Sequence, residues 1–200
     1  RFNGIKRALA KNPNMAMGFA ILLVISFFTI FAGFVDRFDP IKLAPFDRLQ
    51  SPSAEHWFGT DTTGRDVYSR TIHGGRVSML VGFSVAVLTV SSGMIIGLIS
   101  GYNRSADMII QRFMDAIMSF PTLLLALALI AMLGSSITNV IIVITVVDVP
   151  RMVRVVRGQV LTLREVQFVE AARAIGAPTW RVLMLHVAPN TFAPVIVQAT

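Results

Sequence analysis

The most constraining feature of this sequence is an uninterrupted apolar run at positions 15–35, which is long enough to cross a bilayer as a helix. Four basic residues precede the run: Arg1, Lys6, Arg7 and Lys11. A secretory signal peptide has a similar charge layout, but its apolar region is shorter, about 7–15 residues, and is followed by a small-residue cleavage site. No convincing site of that kind follows this run. The pattern therefore predicts a first transmembrane helix with a cytoplasmic N-terminus.

Composition favours a membrane protein over a soluble one. Charged residues make up 14% of the 200-residue chain, against about 25% in an ordinary soluble domain. The net charge of +7 comes from basic residues beside apolar runs, which indicates membrane topology and contact with lipids rather than a nucleic-acid surface. The absence of cysteine excludes a disulfide framework and any cysteine-based metal or redox site.

Three further transmembrane helices are predicted after the first. Their apolar runs cover 77–101, 108–133 and 140–149, and residues 152–156 extend the last one toward the membrane interface. Small residues in the second run, mostly glycine and serine, allow close helix packing in lipid. Pro121 predicts a kink in the third helix because proline lacks a backbone donor and clashes with the preceding turn.

The orientation of the chain follows from an arginine cluster after the fourth run. Its members are Arg151, Arg154, Arg157 and Arg164. Because positive charge favours the cytoplasmic side, this end of the fourth helix is predicted to be cytoplasmic. Counting four spans from a cytoplasmic N-terminus gives the same answer, and it places the polar loop 37–76 outside. The chain starts at Arg1 and stops inside a new apolar run, so we expect it to be a fragment of a longer protein.

The cytoplasmic stretch 165–189 is predicted to form two short helices. The apolar positions of the first recur at helical spacing: Phe168, Ala171, Ala172 and Ile175. Gly176 is suited to end that helix, Pro178 suits the first turn of the second, and Pro189 is expected to end the second. The second helix has its own apolar face: Trp180, Leu183, Met184 and Val187.

Two interpretations of this helix pair remain open. An amphipathic pair can lie on the lipid surface, or it can dock into a groove on another protein. Ala171 and Ala172 favour docking, because alanine buries little area in lipid but allows close approach to a protein wall.

The arrangement of Glu170-Ala171-Ala172, then Gly176, then Pro189 resembles the EAA loop of permeases in ATP-binding-cassette (ABC) importers. The resemblance implies that the loop forms coupling helices that fit a cleft in the ATPase subunits. The family usually ends this motif with Ile-Leu-Pro-Asn, whereas this chain has Val-Ala-Pro-Asn at 187–190.

Other stretches are similar to the dipeptide, oligopeptide and nickel branch of that family. They are the segments 56–84 and 157–177, and Asp115 followed by the Ser-Phe-Pro sequence at 119–121. The likeness covers nearly the whole chain and resembles the subunit with one extra N-terminal span. It departs at Asp148, where an aromatic residue is expected.

The resemblance implies an all-α, type I ABC importer permease with about six spans in the full subunit, of which 77–200 would be the incomplete core. The expected function is import of di- or oligopeptides across the inner membrane. The expected partners are a homologous permease, two ATPases that bind ATP and magnesium, and a substrate-binding protein. No cofactor or catalytic residue is expected in this chain.

Other functions remain open. Nickel or another small solute is the alternative substrate within the family. From other classes, a non-transporting membrane scaffold also fits a recruiting helix pair. An ion-coupled secondary transporter would be expected to carry more charges or unwound helices at the bilayer midplane.

The outer loop contains a near-match to a phosphate-binding loop. Its residues are Gly59, Thr60, Asp61, Gly64, Arg65 and Asp66. Asp66 stands where Ser or Thr would hold magnesium and would repel phosphate, and no buried strand precedes the motif, so nucleotide binding is rejected. Two interpretations remain: a structural turn capped by Asp61 before a short interfacial helix at 66–73, or a surface that faces the binding protein.

Two carboxylates lie in or beside the predicted spans. Asp148 is a functional candidate because intramembrane carboxylates usually are, but Arg151 is placed to pair with it on the same helix face. Asp115 has the same ambiguity with Arg112. The three histidines lack metal-ligand spacing and are expected to be structural: His56, His73 and His186.

Overall fold

The computed structural model describes residues 13–199, so the predicted cytoplasmic residues 1–12 and Thr200 lie outside the described part. The chain is all-α, as predicted: within 13–199 there is no β-strand, and Thr60 and Asp66 form an isolated β-bridge. The elements, in order, are α1 (Pro13–Ile30), α2 (Ala32–Val35), a 3₁₀ helix (Pro45–Asp47), α3 (Val67–Tyr102), α4 (Arg104–Met118), α5 (Thr122–Leu133), α6 (Ile137–Leu163), α7 (Gln167–Ala174), α8 (Thr179–Val182), a π-helix (Leu183–Val187) and α9 (Ala188–Ala199).

The chain divides into two compact units, Arg1–Leu80 and Val81–Thr200. The first unit contains a small core in which Ala32, Tyr68 and Ile72 are buried. His73 Nε2 lies 2.9 Å from a carboxylate oxygen of Asp36. These contacts fix the start of α3 against the residues that follow α2.

In the second unit, α3 and α6 pack closely along a row of glycines. Gly93, Gly97 and Gly101 occur at every fourth position of α3 and face a matching row on α6: Met152, Val156 and Val160. A Cβ atom added to Gly97 would lie 2.6 Å from the Cβ of Val156. The predicted use of small residues for close helix approach is confirmed at this contact.

The start of α3 differs from the sequence-based expectation. A short helix at 66–73 and a separate span from 77 were predicted, but α3 runs without interruption from Val67 to Tyr102. Asp66 accepts a hydrogen bond from the Ser69 backbone N–H and so caps the helix at its beginning. No proline or second cap follows, and the glycines at 74 and 75 are tolerated within the helix.

The predicted count of four transmembrane helices is not confirmed. Among the described residues, α3 alone is a single helix long and apolar enough to cross a membrane; α4 and α5, bent by 88° at their junction, qualify only if they form one span. The apolar part of α1, Ala16–Ile30, is shorter. Every 18-residue stretch of α6 contains at least three charged residues, because Asp148, Arg151 and Arg154 lie in its middle.

Much apolar surface is exposed on these helices. No residue of α5 is buried, and Leu123 and Met132 are 78% and 82% exposed. Exposed apolar surface on this scale indicates contact with lipid or with other polypeptides.

Candidate functional site

The turn between α7 and α8 is built on Gly176. This residue has a φ of +82°, a left-handed conformation that favours glycine. The N–H of Ala177 donates to the carbonyl of Ala172 at 3.1 Å, which is the bond that closes a Schellman C-cap. Pro178 follows and immediately precedes α8. The helix end predicted at Gly176 is confirmed.

The predicted apolar stripe of α7 is divided between two environments. Val169 is fully buried and Ala172 is buried, both in the core of the second unit. Phe168, Ala171 and Ile175 lie outside the core; Ile175 is 85% exposed. The reason is that Val169, which the predicted stripe omitted, takes the inward position three residues before Ala172.

We define the α7 outer face as the exposed residues Phe168, Glu170, Ala171 and Ile175. It combines one carboxylate with apolar side chains, and it lies on a helix whose opposite side is fixed in the core. Ala172, which the resemblance assigned to the coupling interface, lies on that inner side. A partner that binds the exposed side of such a helix can displace the core that packs against its other side.

The second helix also differs from its predicted face. Leu183 and Val187 pack inward together with Val182, whereas Trp180 and Met184 are exposed. Val182 was not in the predicted stripe.

The prediction that Pro189 ends the second helix is wrong. The chain passes from α8 through the π-helix into α9 without a break, and Pro189 is the second residue of α9. The wider π turn, in which the Ala188 N–H donates to the Leu183 carbonyl, makes room for the proline ring. Asn190 Nδ2 donates to the carbonyl of His186 at 2.7 Å.

An ionic cluster that the sequence interpretation missed joins α3, α4 and α6. Both carboxylate oxygens of Asp107 accept hydrogen bonds of 2.6 Å from the guanidinium of Arg157. The Ser100 hydroxyl donates to Asp107 at 2.5 Å, and Gln111 Nε2 donates to Ser100 at 3.0 Å. The available signal was that Asp107 falls in the short gap between the second and third apolar runs, which the span count places on the same side as the arginine cluster. The bidentate geometry fixes the three helices in register.

Asp115 pairs with a different arginine from the one predicted. Its partner is Arg154 of α6, at 2.7 Å, rather than Arg112 on its own helix. The two side chains are 64% and 49% exposed, so the pair contributes about 0–1 kcal/mol.

Asp148 does not form the predicted ion pair with Arg151. Among the described residues neither side chain has an ion-pair or hydrogen-bond partner, and both line one cavity of the second unit. Spacing alone favoured the pair, but the two side chains open onto the cavity instead of approaching each other.

The predicted kink at Pro121 is present as a complete break. α4 ends at Met118, α5 begins at Thr122 with Pro121 as its N-cap residue, and the helix axes differ by 88°. The Ser119 N–H still bonds back to the Asp115 carbonyl, so the helix ends only where the proline requires it.

The loop that resembled a phosphate-binding motif is a turn organised by Asp61. One carboxylate oxygen accepts from the Thr63 backbone, the Thr63 hydroxyl and the Arg65 backbone; the other accepts from Arg65 Nε and Arg70 Nη1. The Thr63 hydroxyl and these further donors hold the pKa of Asp61 well below its usual range. Gly64 has a φ of +78° and lies against the Ala44 carbonyl, where any side chain would collide. The motif therefore has a structural explanation.

Asp66 is a second anchor of this loop and, unlike Asp61, it is buried. Its carboxylate lies 2.9 Å from His56 Nδ1 and 2.7 Å from the Ser69 backbone nitrogen. Burial acts to raise the pKa of Asp66, but the hydrogen bonds from Ser69 and His56 outweigh it and the pKa lies below the ordinary value.

The loop is predicted to be stable to mild acid. The lowered folded-state pKa values of Asp61 and Asp66 mean that their stabilisation is complete above the ordinary value of 3.8 and is lost as the pH falls below it toward the folded-state values. The ring centroids of Trp57 and Tyr68 are 4.9 Å apart, so the fluorescence of Trp57 reports on the structure of the loop. In a Trp180→Phe background its emission should stay constant from about pH 7 to about pH 5 and change only in stronger acid. A transition centred between those values would contradict the assignment.

The match to a known protein family lies within the second unit. Residues 93–200, more than half of the chain, match the family described as "binding-protein-dependent transport system inner membrane component". This segment contains α4 to α9, the α7 outer face and the ionic cluster.

Curated relatives match nearly the whole chain. The dipeptide transport system permease protein DppC of Alkalihalophilus pseudofirmus is 43% identical over 97% of this chain and 64% of its own length. The probable D,D-dipeptide transport system permease protein DdpC of Escherichia coli is 38% identical over 100% of this chain and 68% of its own length. The di/tripeptide transport system permease protein DppC of Pseudomonas aeruginosa is 38% identical over 97% and 66%. The chain thus spans about two thirds of the length of the curated relatives it matches.

Proposed function

The chain belongs to the family of binding-protein-dependent transport system inner membrane components, and we propose that it is a permease subunit of an ABC importer for dipeptides and oligopeptides. The observation that carries this proposal is the 43% identity, across 97% of the chain, to a relative named as a dipeptide transport system permease. Nothing in the described residues favours nickel as the substrate.

The proposed assembly contains a homologous second permease, two ATPase subunits and a substrate-binding protein. ATP and magnesium bind to the ATPases, and this chain itself catalyses no reaction. We place the N-terminus and the loop 165–189 in the cytoplasm and the loop 37–76 outside, in a type I permease of the inner membrane. The turn at 59–66 then lies on the side from which the binding protein delivers its ligand.

Coupling is proposed to pass through the α7 outer face. Glu170, Ala171 and Ile175 enter a groove on the ATPase, with Glu170 against a basic residue. Behind them Val169 and Ala172 are packed in a core that also contains Leu98 of α3, Val160 of α6 and Val195 of α9. Closure of the ATPase dimer on ATP therefore displaces α7, and the packed core transmits that displacement to the helices around the pathway.

The test is reconstitution of the full-length subunit with its partners in lipid vesicles. With the binding protein and a radiolabelled dipeptide outside and ATP within, we expect accumulation that stops when the ATPase is inactivated. Labelled nickel ion is the matched alternative substrate. ATP-driven accumulation of nickel but not of dipeptide would reject the peptide assignment, and accumulation of neither would reject both substrate assignments.

A further inference from the structure

A cavity of about 310 Å³ in the second unit is lined by four polar side chains that have no partner. It lies between α3, α6 and α9, and its polar residues are Thr89, Asp148, Arg151 and Gln198. Within residues 13–199, none of these four side chains forms an ion pair or hydrogen bond. The rest of the wall is mainly apolar, with Val85, Ile144 and Met152 among its residues.

Thr89 is the clearest sign that the cavity is built for a polar ligand. The residue is only 8% exposed, and its hydroxyl oxygen is buried without a partner. Neighbouring hydroxyls on the same helix bond to their own backbone: Ser91 donates to the Val87 carbonyl at 2.7 Å and Ser92 to the Leu88 carbonyl at 2.5 Å. Thr89 makes no such bond, and a buried polar group without a partner is destabilising.

Asp148 and Arg151 add one charge of each sign to the same wall. They lie three residues apart on α6, where side chains have Cβ atoms about 5–6 Å apart, yet they do not pair. Asp148 is half-buried, so leaving its charge unpaired is costly, whereas Arg151 is exposed at the rim of the cavity. A ligand that carries both an ammonium and a carboxylate would satisfy the two together.

We propose that this cavity is a contact site for the two charged ends of a dipeptide during its passage through the permease. Asp148 binds the α-ammonium group, Arg151 binds the terminal carboxylate, and Thr89 and Gln198 hydrogen-bond the peptide amide. The inference rests on the proposed function and deepens it by assigning residues and by favouring dipeptides over longer peptides.

Size supports a dipeptide. The ends of an extended dipeptide are at most about 7 Å apart, within reach of two side chains one helical turn apart. The cavity volume is at the lower end of the range of about 300–1,000 Å³ found for small-molecule sites. None of the four proposed contacts involves a side chain of the peptide, so a site of this kind accepts dipeptides of varied sequence.

The experiment uses the full-length subunit in its complete transporter, reconstituted in vesicles with the binding protein and radiolabelled alanyl-alanine. Uptake per ATP hydrolysed is measured together with the ATPase stimulation caused by loaded binding protein. We expect Asp148→Asn and Arg151→Gln each to lower uptake per ATP about tenfold, as loss of one charged hydrogen bond predicts. Thr89→Val, which keeps the side-chain shape, should lower it about threefold. ATPase stimulation should remain near the wild-type value.

Two controls separate binding from structural support. Arg112→Gln makes the same chemical change on an exposed side chain outside the cavity lining and should have no effect. Thr89→Ser retains the hydroxyl and should restore most of the uptake that Thr89→Val loses.

Uptake per ATP that is unchanged in all three cavity variants would overturn the proposal, as would a parallel fall in uptake and ATPase stimulation, which marks a purely structural role. A wild-type transporter that imports no dipeptide would reject the proposed function itself, and the inference with it. That failure is visible before any substitution is made.

Discussion

Replacing Gly97 with leucine is expected to prevent the permease from assembling its helical core. The Cβ atom alone would lie 2.6 Å from Val156 Cβ and 3.0 Å from the Val153 carbonyl oxygen, and leucine adds three more carbons. The contact is flanked one turn away on each side by Gly93 and Gly101, so α3 and α6 cannot tilt locally to make room. Overpacking typically costs about 1–3 kcal/mol, and we expect the upper end or more because backbone is involved. The measurement is the membrane abundance and thermal stability of the purified subunit.

A matched control lies on the facing helix. A Cβ atom on Gly158 of α6 would meet nothing within 4 Å, so Gly158→Leu should fold normally. A size exchange tests the contact directly: Gly97→Ala should be destabilised, and adding Val156→Gly, which removes the Cβ and Cγ1 atoms in conflict, should recover part of the loss. If Gly97→Leu accumulates and resists heating as Gly158→Leu does, the close contact between α3 and α6 is not needed for stability.

Sequence patterns predicted local features best where one residue type has a strong backbone preference. Gly176 ends α7 in a left-handed conformation, and Pro121 separates α4 from α5, because the covalent structure of these residues restricts the main chain. Pro189 shows the limit of this approach. Its effect on the helix depends on whether a wider π turn can form before it, and no residue type in the sequence signals that turn.

The buried faces of helices and the ion pairs between them were predicted less well, because both depend on which helix packs against which. The α7 stripe omitted Val169, since an alternative set of apolar residues had equally good helical spacing. Asp115 pairs with Arg154, and Asp107 pairs with Arg157 fifty residues away. Spacing rules rank only neighbours on one helix, whereas both pairs form between α4 and α6, which lie far apart in the sequence.

Replacing Glu170 with lysine is expected to separate the permease from its ATPase subunits. Glu170 is exposed on the α7 outer face, between the buried Val169 and the exposed Ala171, so its carboxylate is directed away from the core. If α7 enters a groove with a basic residue opposite, the substitution sets like charge against like and leaves both poorly solvated. Breaking a buried interfacial charge pair costs about 2–5 kcal/mol, which corresponds to at least about a 30-fold loss of affinity. Co-purification of the ATPase and ATP-driven dipeptide uptake are the measurements.

Glu55→Lys is the matched control, because Glu55 is an exposed acidic residue of the loop 37–76, which is placed on the other side of the membrane. It makes the same charge change outside the α7 outer face and should leave ATPase binding near normal. The lipid-surface interpretation makes the opposite prediction for Glu170→Lys, since an added lysine strengthens contact with anionic headgroups. Because Val169 and Ala172 hold the inner side of α7 in the core, Glu170→Lys should fold at normal abundance and report on the outer side alone. A variant that retains its ATPase and transports like wild type would show that α7 lies on lipid and that coupling uses another surface.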